Sequence, residues 1–261
     1  VSYLNKGKVM LGNKKSKIRF FIFLTGLFLF LNSCGLDTFI VVEPPYSIGV
    51  GPNVDTEDYS YKNFQFSTNY KLSNYPSNFV FLGTNVYYKI YTNKASLDSQ
   101  VDELNDRSND FETSATASSL LINTYSYQPL QVMNYPIQAA LVPVTDIINQ
   151  DVYIRLTDYQ NIPNFESRIT LSGKPLYNSS TRTIPVRNVG NYTFNFGRTG
   201  DFDKVPEIGD ADVYGSSAPS DGIWYVALYA VALGRTETYE SQYSNIVYLG
   251  AIAIDANSPD N

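Results

Sequence analysis

The 261 residues include 19 Lys plus Arg, 25 Asp plus Glu and no His, for a net charge of −6. Without His there is no Ser-His-Asp or Cys-His catalytic unit and no imidazole metal site, and a single Cys excludes both an intrachain disulfide and a zinc ribbon or finger. Charged residues make up 17% and aromatic residues 15%, with 22 Tyr against one Trp, a balance that favours strands over helices.

Charge is segregated along the chain. Residues 1–33 carry Lys6, Lys8, Lys14, Lys15, Lys17 and Arg19 and no acid, so the remaining body has 13 basic against 25 acidic residues and stands at −12. Such a body repels phosphate backbones, which argues against a nucleic-acid partner. Lys14 to Arg19 precede a 12-residue apolar run, Phe20 to Leu31, interrupted only by Thr25 and Gly26. A basic stretch followed by a short apolar one is the pattern of an export signal, and the run is too short to cross roughly 30 Å of hydrocarbon as a helix. Met10 gives a signal of ordinary length, which leaves two starts open: Met10, or Val1 read from an alternative start codon.

The run ends in Leu31-Asn32-Ser33-Cys34. This ending resembles the lipobox of bacterial lipoproteins, in its relaxed form that of spirochaetes: Leu at −3, a small residue at −1 and Cys at +1 match, and Asn32 at −2 departs from the usual choice. The resemblance implies that residues 1–33 are a signal peptide removed before Cys34. It also implies that Cys34 carries a diacylglyceryl thioether, with palmitate-type chains. At about 0.8 kcal/mol per buried methylene, two or three chains hold a protein on a membrane almost permanently. Gly35 rather than Asp after the Cys implies, by the enteric rule, an outer-membrane destination. The covalent lipid is the only cofactor-like group expected, apart from the calcium ion weighed below.

In chain order, Phe39 to Val42 reads as a first edge strand stopped by Glu43-Pro44-Pro45. Tyr61 to Asn69 alternates and reads as a strand. Phe79 to Thr92 is the first strong strand, with Leu82, Thr84, Val86, Tyr88 and Ile90 on one face. Ser96 to Arg107 is the one helix candidate: Ser96 caps it, and Leu97, Val101 and Leu104 form its apolar stripe. Residues 108–119 read as a flexible loop. Leu120 to Tyr127, Gln138 to Val144, Asp151 to Thr157, Arg168 to Leu171, Thr183 to Val186 and Asn191 to Phe196 are further strands. Residues 197–222 are a long acidic loop. The clearest pattern comes last, where Trp224, Val226, Leu228 and Ala230 alternate with Tyr225, Ala227, Tyr229 and Val231. A short polar connector, 234–242, then leads into a closing strand from Ser244. Many short strands separated by turn signals make the fold a mainly β, antiparallel sandwich.

The stretch 223–250 resembles the last two strands of a fibronectin type III domain, and Leu82 to Tyr88 is similar to its third strand. The resemblance implies that strand 79–92 lies beside strand 223–233, which pairs antiparallel with strand 243–250. The body, residues 34–261, is then a single domain of fibronectin type III or immunoglobulin-like form. Residues 93–210 are a large insertion or additional strands carrying the one short helix. The expected core contains Leu82, Val86, Tyr88, Trp224, Val226 and Leu228.

Two residue groups carry candidate chemistry. Asp201, Asp203, Asp210 and Asp212, with Glu207 between the pairs, offer oxygen ligands of the kind Ca²⁺ accepts, although their spacing is not that of an EF-hand and a solvated acidic loop is the alternative. Tyr87, Tyr91, Tyr225 and Tyr229 fall on the strand faces opposite the expected core, where exposed phenols would give contact area for sugars or protein partners. The alternative is that a larger sandwich buries both faces. Glycosidase carboxylates and Ser-Lys catalysis find no supporting spacing. The reading is therefore a non-enzymatic, lipid-anchored envelope protein that serves as an adhesion or interaction module. Its rival is a carbohydrate-binding or carbohydrate-processing lipoprotein.

Overall fold

The computed structural model of the chain describes residues 40–70, 75–135, 139–144, 149–159, 165–177 and 183–258. The expected signal 1–33, Cys34, Phe39 and Gln138 lie outside these residues. In chain order the elements are β1 (Tyr46–Ser47), β2 (Phe64–Ser67), β3 (Phe79–Tyr91), α1 (Lys94–Asn109), β4 (Gln128–Pro129), β5 (Gln131–Val132), β6 (Val142–Pro143), β7 (Asp151–Arg155), β8 (Arg168–Leu171), β9 (Lys174–Pro175), β10 (Pro185–Val186), β11 (Val213–Tyr214), β12 (Ile223–Thr236), β13 (Ser241–Tyr243) and β14 (Val247–Asp255).

Two packed sheets, with a separate two-stranded antiparallel ladder of β5 and β10, make the fold mainly β and a sandwich. One sheet has the order β1-β2-β7-β8-β9, antiparallel throughout. The other is built on β12, the longest strand, which pairs antiparallel with β3 on one side and with β13 and β14 on the other. The adjacency of strands 79–91, 223–236 and 247–255 is thus the expected one. The outer edge of β3 is covered in three short pieces: β6 at Gly83 and Thr84, β4 at Tyr87 and Tyr88, and β11 at Ile90 and Tyr91. The β11 pairing is the one parallel pairing among the described strands. Tiling of this kind blunts an edge that would otherwise be a template for foreign strands.

Between the sheets lies a core of Phe64, Phe66, Val86, Tyr88, Val152, Ile154, Phe194, Trp224, Val226, Leu228 and their neighbours. Five of the six expected core residues are in it. Leu82 is only partly buried, because the β3–β12 register slips there: Leu233 faces Gly83, Gly234 faces Phe81, and Leu82 is left out as a bulge. Gly83 has φ +134°, and a Cβ there would strike the Val142 carbonyl, so the bulge requires glycine.

The second face of the β12 sheet is also buried. Leu97, Val101 and Leu104 of α1, with Ala117 and Leu121, pack on Tyr87, Tyr91, Ala227, Tyr229 and Val231. The molecule therefore has three layers, and the segment 93–127 supplies the third. This corrects the expected exposure of the tyrosines: Tyr87, Tyr91 and Tyr229 are buried, and Tyr225 is half-buried. Their hydroxyls are used internally. Tyr91 Oη lies 2.9 Å from Gln100 Oε1, to which it donates, and 2.7 Å from Tyr127 Oη, while Tyr229 Oη donates to Asn105 Oδ1 at 3.3 Å.

Several boundaries differ from expectation for local reasons. The helix starts two residues before Ser96, because Asn93 is its cap and accepts from the Ser96 N–H at 2.8 Å. Residues 114–124 form short helical turns instead of a loop and a strand; Tyr125 N–H closes back on the Leu120 carbonyl at 2.9 Å, and Ser126 then turns the chain at φ 55°. Asn191 to Phe196 makes one isolated bridge, Thr193 to Val186, rather than a strand. Ile40 to Val42 is not a strand, and the edge strand begins at Tyr46. Among the described residues no helix is long and apolar enough to cross a membrane.

Candidate functional site

The acidic residues of the 197–222 segment do not converge. Asp201 is exposed, and Asp203 accepts a hydrogen bond from the Thr193 hydroxyl. Asp210 and Asp212 instead clamp Arg187. Among the described residues no group of three or more metal-ligating side chains is placed to hold an ion, which corrects the Ca²⁺ reading of Asp201, Asp203, Asp210 and Asp212.

Arg187 and Asp212 are both fully buried. Arg187 Nε donates to Asp212 Oδ2 at 2.9 Å, and Nη2 donates to Asp212 Oδ1 at 2.7 Å and to Asp210 Oδ2 at 2.6 Å. Tyr88 Oη donates to Asp212 Oδ2 at 2.6 Å and accepts from the Asn188 N–H at 2.7 Å. Burial and the adjacent Asp212 charge push the Tyr88 phenol well above its usual range, so it stays a donor. Burial works against the Arg187 charge, but the Asp212 and Asp210 hydrogen bonds overcome it and raise its pKa. All of this is internal, and its geometry is that of a latch rather than of a reactive centre. Sequence reasoning missed Arg187; its only signal was a lone Arg in an apolar stretch.

An open cleft lies elsewhere, at the end of the sandwich where β12 begins and β14 ends. A cleft of about 250 Å³ is lined by Glu57, Tyr59, Lys62, Thr157, Asp158, Tyr159, Asn195, Phe196, Ile223 and Ala253 to Asp255. Local structure sets each group. Asp58 caps a 3-10 turn, Tyr59–Tyr61, by accepting from Ser60 N–H, and this turn presents Tyr59 and Lys62. The chain leaving β7 carries Thr157 to Tyr159. Asn195 Oδ1 accepts from Thr157 Oγ1 at 2.9 Å and from Asp158 N–H at 2.8 Å, while its amide donates to Asp158 Oδ2 at 3.1 Å. Arg198 Nη1 stands 3.8 Å from the same carboxylate.

The Tyr59 and Tyr159 rings are 4.4 Å apart, tilted by 33°. Lys62 Nζ lies over both, 5.1 Å from the first centroid and 5.7 Å from the second. Burial lowers the Lys62 pKa from its ordinary value, with the Glu57 charge opposing that shift. Among the described residues no carboxylate stands within ion-pair distance of Lys62. Tyr159 Oη is buried and meets no hydrogen-bond partner among them. None of the four expected tyrosines lines this cleft. Tyr59, Lys62 and Tyr159 carry no periodic signal that would mark them in the sequence. Comparison with known proteins adds no assignment: no family model, curated protein or solved structure matches the chain.

Proposed function

We propose that the chain is an exported lipoprotein, held on the bacterial envelope by lipid on Cys34, whose sandwich acts as a non-enzymatic binding module. The observation that carries this reading is the basic stretch, the short apolar run Phe20 to Leu31 and the ending Leu31-Asn32-Ser33-Cys34. Ile40 and Val42 pack with Tyr70, Phe79, Phe81 and Ala232 at one end of β12. The cleft lies at Ile223, the other end of that strand. Nine residues of strand separate these ends, about 30 Å at roughly 3.3 Å per residue. Cys34 precedes Ile40 by six residues, which limits the tether to about 20 Å at full extension. Lipid on Cys34 would hold the sandwich on the bilayer by this short tether.

The sheet order β3, β12, β14 supports a fibronectin type III-like topology for this module. A second reading, a carbohydrate-binding lipoprotein, is favoured by one observation: tyrosine, amide and carboxylate side chains meet in the same cleft. The anchoring is tested by intact mass of the protein from its native envelope. The expected N-terminus is diacylated Cys34, and Cys34→Ala should leave unprocessed precursor or release the chain. A mature N-terminus elsewhere, with an unmodified thiol, overturns it.

A further inference from the structure

Resting on the reading of this domain as a binding module, we propose that the cleft takes a small ligand bearing a carboxylate. Lys62 receives that carboxylate, and the ligand's hydrogen-bond donors turn towards Glu57 and Asp255. The first argument is what the cleft leaves unused. Lys62 is a half-buried ammonium whose nearest partners are two ring faces, and no carboxylate of the described residues pairs with it. A partly desolvated cation that feels the Glu57 charge only at a distance, with no carboxylate of the described residues in direct contact, gains from an incoming anion that can touch it.

The second argument is what the cleft already fills. Lys62 lies over one side of the Tyr59 and Tyr159 rings, which disfavours a neutral sugar ring stacking on that side. The Thr157, Asn195 and Asp158 side chains bond one another. Asp255 Oδ1 accepts from the Asn257 N–H at 2.8 Å and the Ser258 N–H at 3.2 Å, leaving its second oxygen for a ligand. Glu57 is exposed at the rim.

Size and shape give the third argument. A volume of about 250 Å³ falls below the roughly 300–1,000 Å³ of pockets for drug-sized molecules, so the occupant has the bulk of one ring or one residue. Phe196, Ile223 and Ile254 provide an apolar wall for its carbon frame. Two sources share this chemistry: an acidic sugar, with hydroxyl donors, and an amino acid or chain terminus, with an ammonium donor.

The test is titration of the folded body with glucuronate, glucose, L-alanine and L-alaninamide, followed by NMR of the Lys62 side chain and by calorimetry. At least one carboxylate should move the Lys62 resonances, and its carboxylate-free counterpart should bind at least about tenfold more weakly, the loss expected for one charge-assisted hydrogen bond. Lys62→Gln should lose a similar factor, with an unchanged circular dichroism spectrum. Glucuronate alone binding assigns an acidic sugar, and alanine alone assigns an amino acid or chain terminus. The proposal is overturned if neither carboxylate moves Lys62, if glucose binds as well as glucuronate, or if Lys62→Gln binds like the parent. None of these outcomes bears on lipidation of Cys34, which the mass measurement decides separately.

Discussion

Arg187 and Asp212, 25 residues apart and both fully buried, meet through two parallel hydrogen bonds of 2.9 and 2.7 Å. The pair fastens the acidic segment to the edge of β3, because the Asp212 carbonyl accepts from the Ile90 N–H at 2.9 Å beside the β11 pairing. Removing one partner strands a charge without water. Arg187→Met should therefore cost about 3–5 kcal/mol in urea unfolding, whereas combining it with Asp212→Leu should recover much of that loss. Equal destabilisation of the single and double variants would show that the segment is held by other contacts.

The sequence made the second sheet legible because both faces of β12 alternate in size and polarity over a long run. What it concealed was the third layer. Tyr87, Tyr91 and Tyr229 have an apolar ring and a polar tip, so periodicity alone does not say whether water or protein receives the hydroxyl. The stripe Leu97, Val101 and Leu104 held the answer, since a helix with one apolar side must cover something, and the sheet face four residues upstream of Ala95 is the nearest partner. The cleft was illegible for a different reason. Its parts come from a capped turn, the end of β7, the Asn195 loop and the end of β14, which only the tertiary fold brings together.

Trp224 is 2% exposed and stands between the sheets opposite Ile254 of β14. Truncation of so large a buried ring leaves a cavity that flanking strands, each hydrogen-bonded on two sides or packed against the facing sheet, cannot close. Trp224→Ala should destabilise the body by about 3–5 kcal/mol. Denaturant unfolding followed by circular dichroism measures it, and a loss below about 1 kcal/mol would mean that the core relaxes around the missing ring.

The tyrosine layer predicts an alkaline limit on stability. Burial raises the phenols of Tyr88, Tyr91 and Tyr229 well above the ordinary value of 10.0 and pushes Tyr87 up to about 12. In the unfolded chain the same groups titrate near 10. Above that pH the unfolded state has released protons that the folded state keeps, so it binds fewer protons and stability falls as pH rises. The contribution is fully present below about pH 10 and declines beyond it; for Tyr87 the decline ends near 12. Urea midpoints should accordingly be flat from about pH 8 to 9 and drop steeply above about 10. Phenolate absorbance should rise in two stages, exposed tyrosines first and the buried set only as the circular dichroism signal is lost. Ionisation of all the tyrosines near pH 10, with the native spectrum intact, would show that water reaches the layer beneath α1 and Tyr88 in the core between the sheets.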